Sequence, residues 1–226
     1  MLMESAQMEI LANMGKLVLV RHGHTVLNGP HEEERLRSWL DVPLSDLGLR
    51  EALDTAEIFS NQSVDIIITS DLYRARQTAD AVSAATQAPV ISTGALRPWN
   101  LGSLGGRRVV DVLPVLEQLR QNPSQPAPGG ESLNDFFHRY SAHLWSLLAL
   151  VDGTGQCVVA VTHVRNFLAA PVVLEGKTAS EVAVKGGPET GSIMVVEKHD
   201  EKWSIGPLLE NLAPSVSVSV EELTGA

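Results

Sequence analysis

Four apolar residues in a row, Leu17-Val18-Leu19-Val20, break off at Arg21-His22-Gly23-His24-Thr25. A run with no polar alternation predicts a strand buried on both faces, as in parallel sheets covered by helices. A second such run, Cys157 to Thr162, ends at His163 with Arg165 just beyond. Further strands are predicted at 64–69 and, shorter, at 89–92. Helical spacing fills the intervals. Ser45 can cap a helix running to about Ser60, with Leu49, Ala52, Leu53 and Ala56 on one face. Ser70 or Asp71 is expected to cap the next helix, through about Thr86. A helix over 109–121 must place Pro114 near its start or kink there. Ser132 with Asp135 reads as a capping box. Behind it Leu133, Phe136, Phe137, Tyr140, Leu144, Leu147, Leu148 and Val151 form the apolar stripe of a long helix.

This alternation predicts an α/β fold, a three-layer α/β/α sandwich around a mostly parallel central sheet. Residues 192–197 and 202–205 depart from it and read as an antiparallel hairpin. The expected division is an N-terminal extension at 1–15, in part a frayed helix, one domain at 16–206 and a C-terminal tail at 207–226. Residues 121–130, with three prolines and two glycines, read as a loop within that domain. The chain has 226 residues and no stretch near the roughly 20 apolar residues of a membrane span. Glu4 and Glu9 argue against a signal peptide at the start, and a single cysteine, Cys157, reads as a core residue. A cytoplasmic protein is the expectation. The formal charge of -10 argues against nucleic-acid or anionic-membrane partners. Any attraction for phosphate must therefore be local.

In parallel sheets ligands bind at the carboxyl edge, where the strands end. Arg21, His22 and Gly23 put a cation, a nucleophile and close backbone approach at one such end, and His163 stands at another. The pair points to a shared site for a phosphoryl group. His22-Gly23-His24 also has the form of a metal-binding pair, but further ligands would be needed and the arginines would be poor neighbours for a cation. No metal and no cofactor is expected.

Arg21-His22-Gly23 resembles the signature of the histidine phosphatase superfamily, the phosphoglycerate mutase-like family. His24-Thr25 with Asn28, the segment from Arg37 to Gly48, the segment from Thr69 to Ala79, Pro128-Gly129-Gly130-Glu131-Ser132-Leu133 and Val161-Thr162-His163 resemble its later segments in order. The resemblance implies the same sandwich fold. It implies His22 as the nucleophile that becomes a phosphohistidine, and Arg21, Arg74, His163 and Asn28 as phosphate-binding groups. Chemistry supports those roles. A neutral imidazole attacks a phosphate dianion without charge repulsion, and guanidinium forks match phosphoryl oxygens. His163 is expected to act as a protonated donor. Arg165 reads equally as a solvated surface cation or a substrate contact. Arg50 and Arg76 read as helix-surface charges, and His31, His138, His143 and His199 as surface or packing residues.

One position departs from the family. Where many members carry an acidic residue after a Leu-Arg pair, Leu96-Arg97 is followed by Pro98 and then Trp99-Asn100. Glu131 reads equally as a substitute proton donor or as a charge at a helix N-terminus, and with the first the expected catalytic set is His22, His163 and Glu131. Turnover of alkyl phosphates is expected to be weak, with acyl, anhydride or aryl phosphates better served. Three readings stay open: a metal-independent phosphatase of a phosphorylated small molecule or a phosphoprotein, a phospho-ligand-binding or regulatory protein with weak or no turnover, and a phosphoglycerate mutase. Specificity is expected from the loops at 27–37, 98–108 and 121–130.

Overall fold

The computed structural model of the chain describes residues 15–30 and 32–210. In chain order its elements are β1 (Leu17–Arg21), α1 (Asp46–Phe59), β2 (Ile66–Ser70), α2 (Tyr73–Thr86), β3 (Val90–Thr93), α3 (Val109–Gln121), α4 (Leu133–Thr154), β4 (Val158–Thr162), α5 (Val164–Leu174), β5 (Ile193–His199) and β6 (Lys202–Leu209). They build one sheet in the order β3-β2-β4-β1-β5-β6. The first four strands are parallel; β5 runs antiparallel to β1, and β6 to β5.

The unbroken apolar runs have the predicted cause. Every residue of β1 and β4 is buried, because helices cover both faces of the sheet. Leu17, Leu19, Val158 and Ala160 pack into one apolar cluster with α3, α4 and α5. Val18, Val20, Val159 and Val161 pack into the other, under α1 and α2. This is the expected three-layer sandwich with a mostly parallel sheet. Cys157 is buried at the head of β4, and burial pushes its thiol up to about 11.

Local signals fix several helix starts. Ser45 accepts from the Gly48 N–H at the head of α1, and Ser132 and Asp135 form the capping box of α4. All eight residues of the α4 stripe are buried. Pro114 falls in the second turn of α3, which continues through it. At α2 the expectation needs correction. The N-cap is Leu72, with no side-chain cap, because the Asp71 carboxylate is held by Arg97 Nε and Nη2, both at 2.7 Å.

The C-terminal hairpin is longer than its sequence signal. β6 runs to Leu209, past the expected boundary at 206, and its register with β5 shifts between Met194 and Val196. The extra residue falls where Gly206-Pro207 sits on an edge strand, which tolerates a proline that cannot donate. The extension at 1–14, His31 and the tail from 211 onward lie outside the described residues. Among the described residues no helix is long and apolar enough to cross a membrane.

Candidate functional site

Strand register assembles the centre. β1 and β4 are parallel neighbours with Arg21 opposite Thr162. The next residues, His22 and His163, therefore stand side by side past the carboxyl edge. The His22 N–H still donates to the Thr162 carbonyl at 3.0 Å. The two rings are buried, edge to face, with centroids 5.0 Å apart. β2 lies on the other side of β4, and the turn after it delivers Arg74 in the first turn of α2.

Two contacts fix the state of His22. Its Nδ1 lies 2.7 Å from the Gly23 carbonyl oxygen, an acceptor, so Nδ1 carries the hydrogen. Arg74 Nε then donates to the Nε2 lone pair at 3.2 Å. Burial, reinforced by Arg74, Arg21 and Arg37, holds the imidazole well below its usual pKa, so the ring is neutral. The result is an imidazole with its lone pair on Nε2, held toward a fixed cation.

Arg74 is itself fully buried. Nη1 donates to the Leu40 carbonyl at 2.7 Å and Nη2 to that of Ser38 at 2.9 Å. Burial above all pushes this guanidinium down to about 9, still charged at neutral pH. Ser38 adopts a left-handed conformation, φ 44°, uncommon for a residue with a side chain. Its hydroxyl pins that turn by donating to the Trp99 carbonyl and accepting from the Leu101 N–H.

Gly23 and Gly48 explain each other. A Cβ on Gly23 would lie 2.4 Å from the Gly48 carbonyl oxygen, and one on Gly48 would lie 1.9 Å from that of His24. The close approach at Gly23 is thus made to the first turn of α1, which braces the loop carrying the nucleophile.

A pocket opens over the rings. Its wall takes in Arg37, Arg74, Arg165, Pro98 and Trp99 beside His22 and His163, and among the described residues no Asp or Glu lines it. Several expected residues stand elsewhere. Arg21 lowers the pKa of both rings by its charge, yet it is not on the pocket wall; an Nη donates to the Pro188 carbonyl. Asn28 closes a turn, its Oδ1 accepting from the N–H and hydroxyl of Thr25, each at 2.9 Å. Glu131 is also off the wall. Its Oε1 accepts from Arg139 Nη2 at 2.7 Å and from the Asn100 N–H at 2.8 Å. His24 packs beneath the loop, its Nδ1 2.7 Å from the Ser45 hydroxyl.

Three further expectations change. His163 is not a protonated donor in the free protein. Burial, then Arg74 and the neighbouring His22, hold it well below its usual pKa, and neither ring nitrogen has a partner among the described residues. Arg165 is no solvated cation but is buried on the pocket wall, donating to the Ala183 and Val184 carbonyls. The loop at 121–130 does not line the pocket; its end at Gly130 packs against Asn100 and Gly102 and supports the pocket loop from behind.

Sequence reasoning overlooked Arg37 as a site residue. It lines the pocket with its side chain only 10% exposed, Nη2 paired to Glu34 at 2.9 Å and Nη1 buried without a partner among the described residues. Its place in a 27–37 specificity loop was the available signal. Among the described residues no three His, Cys, Asp or Glu side chains gather closely enough to hold a metal ion.

The chain is similar in sequence and fold to known proteins. Residues 17–208 match the model of the histidine phosphatase superfamily (branch 1). A probable phosphoglycerate mutase of Yersinia pestis is 34% identical over 152 residues, covering 65% of this chain and 69% of its own. The mycobacterial glucosyl-3-phosphoglycerate phosphatase is 26% identical, covers 84% of this chain and 96% of its own, and superposes with a TM-score of 0.70. A phosphoserine phosphatase from Entamoeba histolytica shares the fold, with a TM-score of 0.71 at 18% identity over 85% of this chain and 95% of its own. The chain belongs to the histidine phosphatase superfamily.

Proposed function

We propose that this protein is a metal-independent phosphatase that hydrolyses a phosphorylated small molecule through a phosphohistidine on His22. One observation carries the reading: a buried, neutral imidazole whose Nδ1 is engaged by Gly23 while its Nε2 lies 3.2 Å from the Arg74 guanidinium. Nε2 attacks phosphorus in line with the departing oxygen, and Nδ1–H stays on the Gly23 carbonyl as charge develops on the ring. Arg74, with Arg21 nearby, supplies the positive field for the phosphoryl oxygens. His163 is neutral in the free protein and takes up a proton as the phosphate dianion offsets the surrounding arginines. Water then cleaves the phosphorus–nitrogen bond.

Incubation with p-nitrophenyl phosphate, whose leaving group barely needs a proton, tests this route. The expected result is turnover with an acid-labile, alkali-stable phosphoprotein trapped on quenching, and neither in His22→Ala. Binding of phosphate without turnover of any ester would replace the reading with a phospho-ligand-binding protein. The Yersinia relative's name favours one other reading, phosphoglycerate mutase. Interconversion of 3- and 2-phosphoglycerate faster than release of phosphate would establish it.

A further inference from the structure

The pocket combines two unusual features. Where an acidic proton donor would be sought, the wall presents Pro98 and Trp99, and among the described residues no carboxyl group lines it. Glu131, two hydrogen bonds deep in its own support network, supplies none. On the same wall stands Arg37, nine-tenths buried, with a guanidinium nitrogen that has no partner among the described residues. An unpaired buried donor on a cation costs stability, which an anion bound beside it would recover. Arg74 commits both Nη groups to backbone carbonyls and Arg165 is likewise tied, so Arg37 is the wall arginine with a whole Nη uncommitted.

Resting on the phosphatase reading, we propose that Arg37 takes the charge of the leaving group, and that the substrate is an acyl phosphate or phosphoanhydride whose leaving group departs as an oxyanion. His22 Nε2 forms its bond to phosphorus as the phosphorus–oxygen bond breaks, and that electron pair stays on the departing oxygen. The product carboxylate or phosphate leaves against the Arg37 guanidinium, and no proton is transferred in this step. In the second step water adds to phosphorus, the phosphorus–nitrogen pair returns to Nε2, and both water hydrogens remain with the phosphate until it ionises in solvent. An alkoxide, far more basic, needs a proton donor of its own: the proton His163 takes up is committed to the transferred phosphoryl group, and among the described residues no carboxyl group lines the wall. Glu34, paired to Arg37 through Nη2, fixes the guanidinium in place.

The test compares acetyl phosphate, pyrophosphate, p-nitrophenyl phosphate and glycerol phosphate in the unmutated protein, Arg37→Gln and Arg37→Lys, with folding checked by circular dichroism. Phosphoenzyme formation and phosphoenzyme hydrolysis are timed separately. The expected result is that acetyl phosphate or pyrophosphate far exceeds glycerol phosphate. Arg37→Gln should slow phosphoenzyme formation from them by roughly 10²–10³-fold, the cost of removing one preorganised charge-stabilising donor. Phosphoenzyme hydrolysis, in which His22 Nε2 departs and the substrate oxyanion has already left, should stay within about threefold, and Arg37→Lys should restore part of the loss. Equal slowing of both steps, or glycerol phosphate turned over as well as acetyl phosphate, would overturn the role of Arg37 while leaving a phosphohistidine enzyme. Absence of phosphoenzyme from every substrate would overturn the phosphatase reading, and the role of Arg37 with it.

Discussion

The carboxylate of Glu131 lies 2.7 Å from Arg139 Nη2, and this pair clasps the pocket loop. Arg139 also donates to the carbonyls of Ala95, Arg97 and Pro98, while Glu131 receives the Asn100 N–H. The main chain of Glu131 accepts from Trp99 Nε1 and donates to the Asn100 carbonyl. Every residue from 97 to 100 is thereby tied to α4 or to the segment leading into it.

A clasp and a proton donor respond differently to neutralisation. Glu131→Gln keeps an acceptor for Asn100 and loses the charge facing Arg139. Thermal unfolding should show a loss of about 1–2 kcal/mol, at the low end for breaking a partly buried pair. The ratio of aryl to alkyl phosphate turnover should stay unchanged. A selective loss of alkyl turnover would make Glu131 the acid after all.

The glycine pair at Gly23 and Gly48 gives a second expectation. Gly48→Ala would bring its Cβ to 1.9 Å from the His24 carbonyl oxygen, so α1 or the nucleophile loop must move. Overpacking against backbone costs about 1–3 kcal/mol, and displacement of His22 should lower kcat about tenfold or more. Circular dichroism melts and p-nitrophenyl phosphate kinetics check both. A fully active, equally stable variant would contradict the close approach.

These two cases show how far the sequence was legible. Unbroken apolar runs exposed β1 and β4, and with them the neighbouring ends that carry His22 and His163, since parallel pairing leaves little freedom in the residue after each strand. Caps at Ser45 and Ser132 were equally readable, because a cap is a local hydrogen bond. Asp71 and Glu131 were placed differently for the opposite reason. Their partners Arg97 and Arg139 are chosen by tertiary packing that no local spacing encodes, whereas Asn28 closes a local turn onto Thr25, three residues back. Arg37 was missed because its burial depends on Glu34 and on a pocket wall drawn from several loops.

The cap of α4 offers a simple stability measurement. The Ser132 hydroxyl accepts from the Asp135 N–H at 3.1 Å and donates to its carboxylate at 2.6 Å. Ser132→Ala should cost about 1 kcal/mol in denaturant unfolding. Because Glu131 precedes the cap directly, the same variant should raise hydrogen exchange across residues 98–102. An unchanged exchange pattern there would separate the cap from the clasp.

The two buried histidines tie stability to pH. Both have pKa values held well below the usual 6.5, chiefly by burial, whereas in the unfolded chain they titrate near that value. Below pH 6.5 the unfolded state therefore binds protons that the folded state refuses. Stability is fully present above that pH and falls as the solution is acidified. The slope approaches about 1.4 kcal/mol per pH unit for each ring until the folded-state values are reached. Inorganic phosphate should oppose this fall, because a bound anion offsets the arginines that keep His163 neutral. Melts from pH 7.5 to 5 with and without phosphate, beside His163→Asn, check the account. Nitrogen NMR of the free protein at pH 6 should find both rings neutral, with His22 protonated on Nδ1. A protonated His22 at that pH would remove the nucleophile this centre depends on.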